Sequence, residues 1–320
     1  MTYFDVFNGD ADGICALHQW RLVRPQESTL ITGVKRDIAL LQQVQASAGD
    51  QVLVLDISLD KNREALLCVL DAGASVDYFD HHFAGEIPQH ICMTPHINTA
   101  ADVCTSLLVN HYLNGKYLLW AITAAFGDNL FDAAIKAAEP LALETDQLKQ
   151  LEQLGILINY NGYGVTESDL YFHPVDLYRE IQPFDNPFDF ISQSTSYAVL
   201  AQGYAADMAK AEQLPIKSDD ESAALIMLPN EAWTRRVSGV YGNALARKYP
   251  NRAHALLTVM EDASYRISVR APIINKTGAD ELCMQFPTGG GRKAAAGINA
   301  LPVDMLDAFI DAFKRQYRKN

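Results

Sequence analysis

Residues 3–13 read YFDVFNGDADG, an apolar-rich run of five followed at once by Asn8, Gly9, Asp10, Ala11, Asp12 and Gly13. The run fits a short strand, and the turn-forming residues after it fit the entry to a helix, which the spacing predicts over 14–23. The same grammar returns downstream. Residues 51–57, QVLVLDI, are almost continuously apolar, as a strand buried on both faces should be, and they carry Asp56 near their end. Residues 75–79 read as another strand, running into Asp80, His81 and His82. With a further strand at 30–34 and a helix at 61–70, the rhythm is βαβα. It predicts an α/β fold whose N-terminal part is a doubly wound, mostly parallel sheet covered by helices on both faces.

Beyond this region the pattern turns helical and alanine-rich over 100–155, interrupted by Pro140 and resuming over 144–157. Residues 155–186 are rich in Gly, Pro, Asn and aromatics and read as loops and caps. A helix is expected over 196–214, and the polar stretch KSDDES at 217–222 suits a domain boundary. Then come a strand at 223–228, a helix at 241–248 and a strand pair at 253–260 and 265–271 around Glu261 and Asp262. The glycine-rich TGGGRKAAAG follows, and a last helix starts near Val303. The organisation expected is a first domain over 1–190, a helical linker over 191–220 and a smaller α/β domain over 221–320, with a cleft between the domains.

The 320 residues carry a formal net charge of −13, with 49% hydrophobic and 20% charged residues, which excludes a disordered or fibrous chain. No apolar run approaches the roughly 18 residues of a transmembrane helix, and the N-terminus lacks the basic and apolar regions of a signal peptide. Five cysteines without a CxxC pair suit reduced thiols, so a cytoplasmic protein is expected. The charge is unevenly placed. Residues 1–230 hold 12 Lys and Arg against 31 Asp and Glu, whereas residues 231–320 hold 14 against 8. An acidic first part is therefore joined to a basic last part.

Three strands thus deliver acids or imidazoles to the carboxyl end of one sheet, where open α/β sheets bind ligands. A further acid, Asp128, follows the helical run 118–126 in AFGDN. Like charges converging in one place must be compensated, and a divalent cation does so in the smallest volume. Carboxylates with a minority of imidazoles suit Mn²⁺ or Mg²⁺. Four or more carboxylates suggest two ions, about 3.5–4 Å apart, clamping a displacement at phosphorus and acidifying a water. Taken alone, an Asp-x-Asp after a strand is more often a helix N-cap, and a His-His pair is more often structural. Their joint occurrence in order at strand ends argues for the site.

NGDADG, VLDIS, DYFDHH and AFGDN resemble the four ordered motifs of the DHH phosphoesterase superfamily. GGGRKAAAG, with ISVRAP and VSGVYGNALARKYP upstream, resembles the DHH-associated C-terminal substrate domain. The likeness spans residues 3–300 and implies a Mn²⁺-dependent phosphohydrolase, with Mg²⁺ or Co²⁺ as substitutes and two ions bound. It implies Asp10, Asp12, Asp56, His81 and Asp128 as metal ligands, with Asp56 the bridge. It further implies that Asp80 orients His81 and that His82 faces the substrate phosphoryl group. Arg270, Gly289, Gly290, Gly291, Arg292 and Lys293 become the substrate-binding residues, the glycines through backbone N–H groups arranged as a nest.

Two departures bear on the substrate. Asn8 stands where the nuclease branches carry an acid, with Val6 in place of an alternative His, which weakens the first metal position. Arg292 follows the glycines where a His is usual, and a permanently charged fork favours a heavily anionic ligand. Lys35 and Arg36, after the second strand, could reach a phosphate but read more readily as a solvated turn. The substrate class expected is short oligonucleotides, as in nanoRNase-like members, with exopolyphosphatase activity the alternative and a non-catalytic nucleotide-binding sensor the third reading. The partner is a small anion rather than long duplex nucleic acid or a membrane, and a homodimer is left open.

Overall fold

Strand β1 (Tyr3–Phe7) leads into helix α1 (Ala11–Val23), β2 (Thr29–Ile31), β3 (Gln51–Leu55), α2 (Leu59–Asp71), β4 (Ser75–Asp80) and β5 (Met93–Ile97). The five strands pair only in parallel, in the order β2-β1-β3-β4-β5. This is a doubly wound order whose chain direction reverses between β1 and β3, and the crevice outside that reversal is where such sheets bind ligands. The structure, a computed structural model, describes residues 1–219, 221–260 and 262–318 and divides into two units, Met1–Gln202 and Gly203–Asn320.

Alternation along β3 explains its apolar sequence. Val52 and Val54 join a core with Phe4, Val6, Leu66 and Val69 on the α2 side, while Leu53 and Leu55 are buried on the other face. On that second face Trp20 of α1 packs edge-on to Phe79 of β4, ring centres 5.3 Å apart. Asp5, buried within β1, is held by a two-pronged ion pair with Arg21 and by the Ser28 hydroxyl. Strand β5 is not foreseen by the sequence pattern: its stretch MTPHI carries Pro95, which an edge strand tolerates because one side makes no ladder bonds.

The unit continues through α3 (Thr105–Tyr112), α4 (Leu118–Gly127), α5 (Phe131–Ala138), α6 (Thr145–Gly162), α7 (Pro174–Ile181) and α8 (Pro187–Gln193). The expectation of loops over 155–186 is therefore corrected. Helix α6 runs on to Gly162 because Leu157, Ile158 and Tyr160 are all buried, and α7 starts at a proline capped by the His173 side chain. Helices α4 and α6 cross with their backbones nearly touching at Gly155, where an added Cβ would sit 2.1 Å from the Thr123 carbonyl oxygen.

Helix α9 (Thr195–Glu212) precedes the second unit's sheet, formed by β6 (Ile216–Asp219), β7 (Ala223–Leu228), α10 (Ala232–Lys248), β8 (Ala253–Val259), β9 (Tyr265–Arg270), α11 (Ala279–Cys283), β10 (Gly289–Arg292) and β11 (Ala295–Leu301), closed by α12 (Leu306–Tyr317). Its strand order is β10-β11-β9-β8-β7-β6, with β7 and β8 parallel and the other neighbours antiparallel. The polar stretch expected as a boundary places residues 217–219 in the edge strand β6; Asp220 and Glu261 lie outside the described residues. No helix among the described residues is long and apolar enough to cross a membrane.

The close α4–α6 crossing supports a stability test. Gly155→Ala is expected to lower the unfolding free energy by about 1–3 kcal/mol, the usual cost of overpacking. At Gly290 no heavy atom lies within 4 Å of the place a methyl group would take, so Gly290→Ala should stay within about 0.5 kcal/mol of wild type. Urea denaturation at constant Mn²⁺ compares the two.

Candidate active site

Each acidic residue at the carboxyl edge of the first sheet is fixed by a specific local device. Asp10 is the N-cap of α1, its Oδ1 accepting from the backbone N–H groups of Asp12 and Gly13 at 3.0 and 3.1 Å. Asp12, in the first turn of α1, reaches the start of α3, where the N–H groups of Thr105 and Ser106 donate to its two oxygens at 2.7 Å each. Asp56, just past β3, has a φ of +60°, a conformation unusual for a residue with a Cβ. Three contacts hold it there: its N–H donates to the Phe79 carbonyl, the Thr105 hydroxyl donates to its Oδ1 at 3.0 Å, and Tyr78 donates to the next carbonyl, that of Ile57. Asp128 caps the C-terminus of α4.

These groups meet at His81. Its Nε2 lies 3.4 Å from Asp56 Oδ1, 3.7 Å from Asp128 Oδ2 and 3.9 Å from Asp12 Oδ2. Two donors each about 2.1 Å from a shared ion stand about 3–4 Å apart, so each of these oxygens is near enough to Nε2 to share an ion with it. The donor atoms that all lie close to one another are those of Asp56, His81 and His82. The buried Asp128 Oδ2 has no hydrogen-bond partner among the described residues, an acceptor left for a cation. His81 Nδ1 donates to the Val103 carbonyl at 2.8 Å, which turns the lone pair of Nε2 towards the carboxylates. The donor set therefore fits a hard divalent ion. His82 stands beside it, its Nδ1 3.9 Å from Asp56 Oδ1.

The role expected of Asp80 is corrected by this geometry. Asp80 Oδ1 accepts from His82 Nδ1 at 2.7 Å, and His81 has a backbone partner instead. At the end of a strand, residues two apart share a side, so Asp80 reaches His82 more readily than its direct neighbour.

Electrostatics follow the packing. Burial, reinforced by Asp12, Asp10, Asp128 and Asp80, pushes the Asp56 carboxyl well above the usual range. Burial also raises Asp12, with Asp128 and Asp10 adding to it and His81 opposing. Asp10 goes the other way: burial would raise it, but the charge and hydrogen bond of Lys35 hold it low. Burial likewise disfavours the Lys35 ammonium, and Asp10, Tyr163 and Asp128 overcome it.

Lys35 is the principal surprise. Expected as a solvated turn, it points into the acidic cluster, paired with Asp10 Oδ2 and hydrogen-bonded to Asn159 Oδ1 at 3.0 Å, with Asp128 Oδ1 at 3.5 Å. Asn159, Thr105 and Ser106 escape a reading of the sequence as well. Only a polar start to a helix at Thr105 marks any of them, and nothing near 159 does.

The other expected residues lie in the second unit. Arg270 is held by Asn243 Oδ1 at 2.7 Å and by Ser268 Oγ at 2.9 Å. Gly289, Gly290 and Gly291 form the edge strand β10 rather than a free anion nest, and the Gly289 N–H is already donated to the Phe286 carbonyl. Arg292 and Lys293 are exposed at the hairpin tip that joins β10 to β11.

Solved structures show the same architecture. A manganese-bound RecJ exonuclease matches at TM-score 0.63 and 17% identity, over 100% of this chain and 91% of that one. RecJ from Thermus thermophilus, in complex with Mn²⁺, matches at 0.64 and 16%, over 98% of this chain and 51% of its own length. The pGpG-specific phosphodiesterase PggH from Vibrio cholerae matches at 0.57 and 14%, over 99% of this chain and 98% of that one. The chain shares the fold of these RecJ and PggH structures. No protein-family model and no curated protein matches its sequence. At such identities the likeness establishes the fold, and the chemistry rests on the side chains of this chain.

The raised carboxyls set a stability test in the absence of metal. A group whose folded value lies above its unfolded one contributes stability fully below the unfolded value and loses it as pH rises through the folded one. Chelator-treated wild type should therefore lose stability as pH climbs from the ordinary aspartate range. Asp56→Asn should be more stable than wild type at about pH 7.5 in chelator by about 1–2 kcal/mol, within the usual range of single substitutions. That advantage should shrink as pH falls below about 4, where the wild-type carboxyl becomes protonated in the unfolded state as well as the folded one, and reverse with Mn²⁺ present. Thermal melts across pH, with and without Mn²⁺, read both effects.

Proposed function

We propose that the chain is a Mn²⁺-dependent phosphohydrolase that cleaves phosphodiester bonds in short oligonucleotides. The observation that carries this reading is the meeting of Asp12, Asp56, His81 and Asp128 at one point, with the Asp80–His82 pair alongside. A divalent cation held there supplies Lewis-acid stabilisation of phosphoryl oxygens and acidifies water.

The chain's own residues supply orientation and proton handling. Asp80 accepts the Nδ1 proton of His82 in a hydrogen bond, which fixes the orientation of the ring. In this reading His82 supports the phosphoryl or leaving oxygen as charge builds there. Its side chain is 34% exposed, enough to be reached, whereas His81 is buried at 4% and serves as a ligand. Arg270, Arg292 and Lys293 are the cationic residues of the second unit that this reading assigns to further phosphates.

A nucleotide is favoured over polyphosphate by Phe83. This ring, directly after His82, is 75% exposed, while the Ser58 hydroxyl donates to the Phe83 carbonyl at 3.0 Å and steadies its backbone. An exposed aromatic ring next in sequence to the reactive residue offers a stacking surface for a base, and polyphosphate has no base to stack. PggH, of like fold, is described as acting on pGpG, a substrate of the proposed size. The polyphosphate alternative draws on the exposed Arg292 and Lys293.

With Mn²⁺, a 5′-labelled RNA dinucleotide, pAp, cyclic dinucleotides and polyphosphate are offered at equal concentration. The dinucleotide should turn over fastest. Fastest release from polyphosphate would overturn the substrate, and no release from any would favour the sensor. His82→Ala should lower kcat about 10²–10³-fold. Phe83→Ala should raise KM for the dinucleotide about tenfold, within the roughly 1–3 kcal/mol worth of one stacked base, and leave polyphosphate unchanged.

A further inference from the structure

We propose that the Lys35 ammonium occupies one of the two cation places of this site, so that the chain takes one divalent ion instead of two. The inference rests on the reading of the site as a metal-dependent phosphohydrolase centre and specifies how that centre is charged.

Lys35 is aimed by its backbone. Its N–H donates to the Gly162 carbonyl at the end of α6 at 2.8 Å, and its carbonyl accepts from Asn8 Nδ2 at 3.3 Å. Between these two anchors the side chain enters the cluster and is only 23% exposed. An ammonium has three N–H donors, and three oxygens stand around this one: Asp10 Oδ2, Asn159 Oδ1 and Asp128 Oδ1. They come from the start of α1, from α6 and from the end of α4. Oxygens gathered from three separate elements around one positive centre form the shell that a bound ion would otherwise need.

Asp128 ties the two places together. Its Oδ1 faces Lys35, and its Oδ2 faces His81 Nε2 among Asp12 and Asp56. One carboxylate thus spans a place filled by the protein's own charge and a place lined by donors for an external one. The neutral Asn8 fits this division. An acid there would demand a stronger positive charge than an ammonium brings, and Asn8 instead uses its amide to hold the Lys35 backbone.

Charge counting points the same way. Apart from Asp80, which is taken up by His82, Asp10, Asp12, Asp56 and Asp128 bring four negative charges. One dication with Lys35 brings three positive charges, close to balance. Two dications with Lys35 bring five, crowded within a few ångströms, where repulsion between like charges is steep. All three of the lysine's donors have acceptors, so Lys35 balances charge rather than gripping substrate.

The test counts ions directly. Protein stripped with chelator is dialysed against Mn²⁺, and bound metal is measured by elemental analysis and by electron paramagnetic resonance. Wild type should hold one Mn²⁺ per chain with the spectrum of an isolated ion. Lys35→Ala, and the double variant Asn8→Asp with Lys35→Ala, should hold two with a spin-coupled spectrum. Circular dichroism in Mn²⁺ checks that each variant is folded, and the wild-type count stands without any variant. Two coupled ions in wild type would overturn the inference and leave the hydrolase reading standing. Wild type binding no Mn²⁺ would overturn both. A folded double variant that stays at one ion would also overturn the assignment of Lys35.

Discussion

Burying several carboxylates at one point is the constraint from which the rest of this structure follows. Each must be offset, and the offsets differ in kind. Asp10 uses one oxygen to cap α1 and the other to meet Lys35. Asp12 takes two backbone N–H groups from the start of α3, where the helix dipole also favours a negative charge. Asp56 has a threonine hydroxyl and a strained backbone, and Asp80 has His82. Asp128 is the least satisfied, with one oxygen distant from Lys35 and the other without a partner among the described residues. The compensation is complete near Asp10 and incomplete around His81.

The sheet topology makes this concentration possible. The order β2-β1-β3-β4-β5 places the ends of β1, β3 and β4 side by side, so that Asp10, Asp56 and Asp80 arrive at one edge although far apart in sequence. The helices then complete the ring of groups around them. Gly155 lets α6 lie against α4, which brings Asn159 and Asp128 to the same ammonium. A fold with the same acids on separated strands would have no such burden to offset, and no site.

What is legible in the sequence and what is hidden divide along physical lines. β1, β3 and β4 are readable because strands buried on both faces leave near-continuous apolar runs, and the acids after them break those runs abruptly. β5 is hidden because an edge strand can alternate polar residues and hold Pro95. α7 hides behind its aromatic and proline content, although the proline after His173 is a helix-start signal. The partner of Asp80 is misread as the adjacent histidine, since nearness along the chain is not nearness on one side of a strand. The place of Lys35 cannot be read from sequence at all: its direction is set by Gly162 and Asn8, and its partners lie 25, 93 and 124 residues away.

The net charge of −13 illustrates the same point at a larger scale. As an average it argues against a phosphate-bearing ligand, but charge acts over a screening distance of about 8–10 Å, and averages over a whole chain have no such reach. Within that distance of His81 the relevant sum is over a handful of buried groups, several of them already offset by N–H groups, a hydroxyl and an ammonium. What a phosphoryl group would meet there is set by how completely those few charges are balanced. A lysine that balances part of the cluster from within lowers the demand for positive charge from outside.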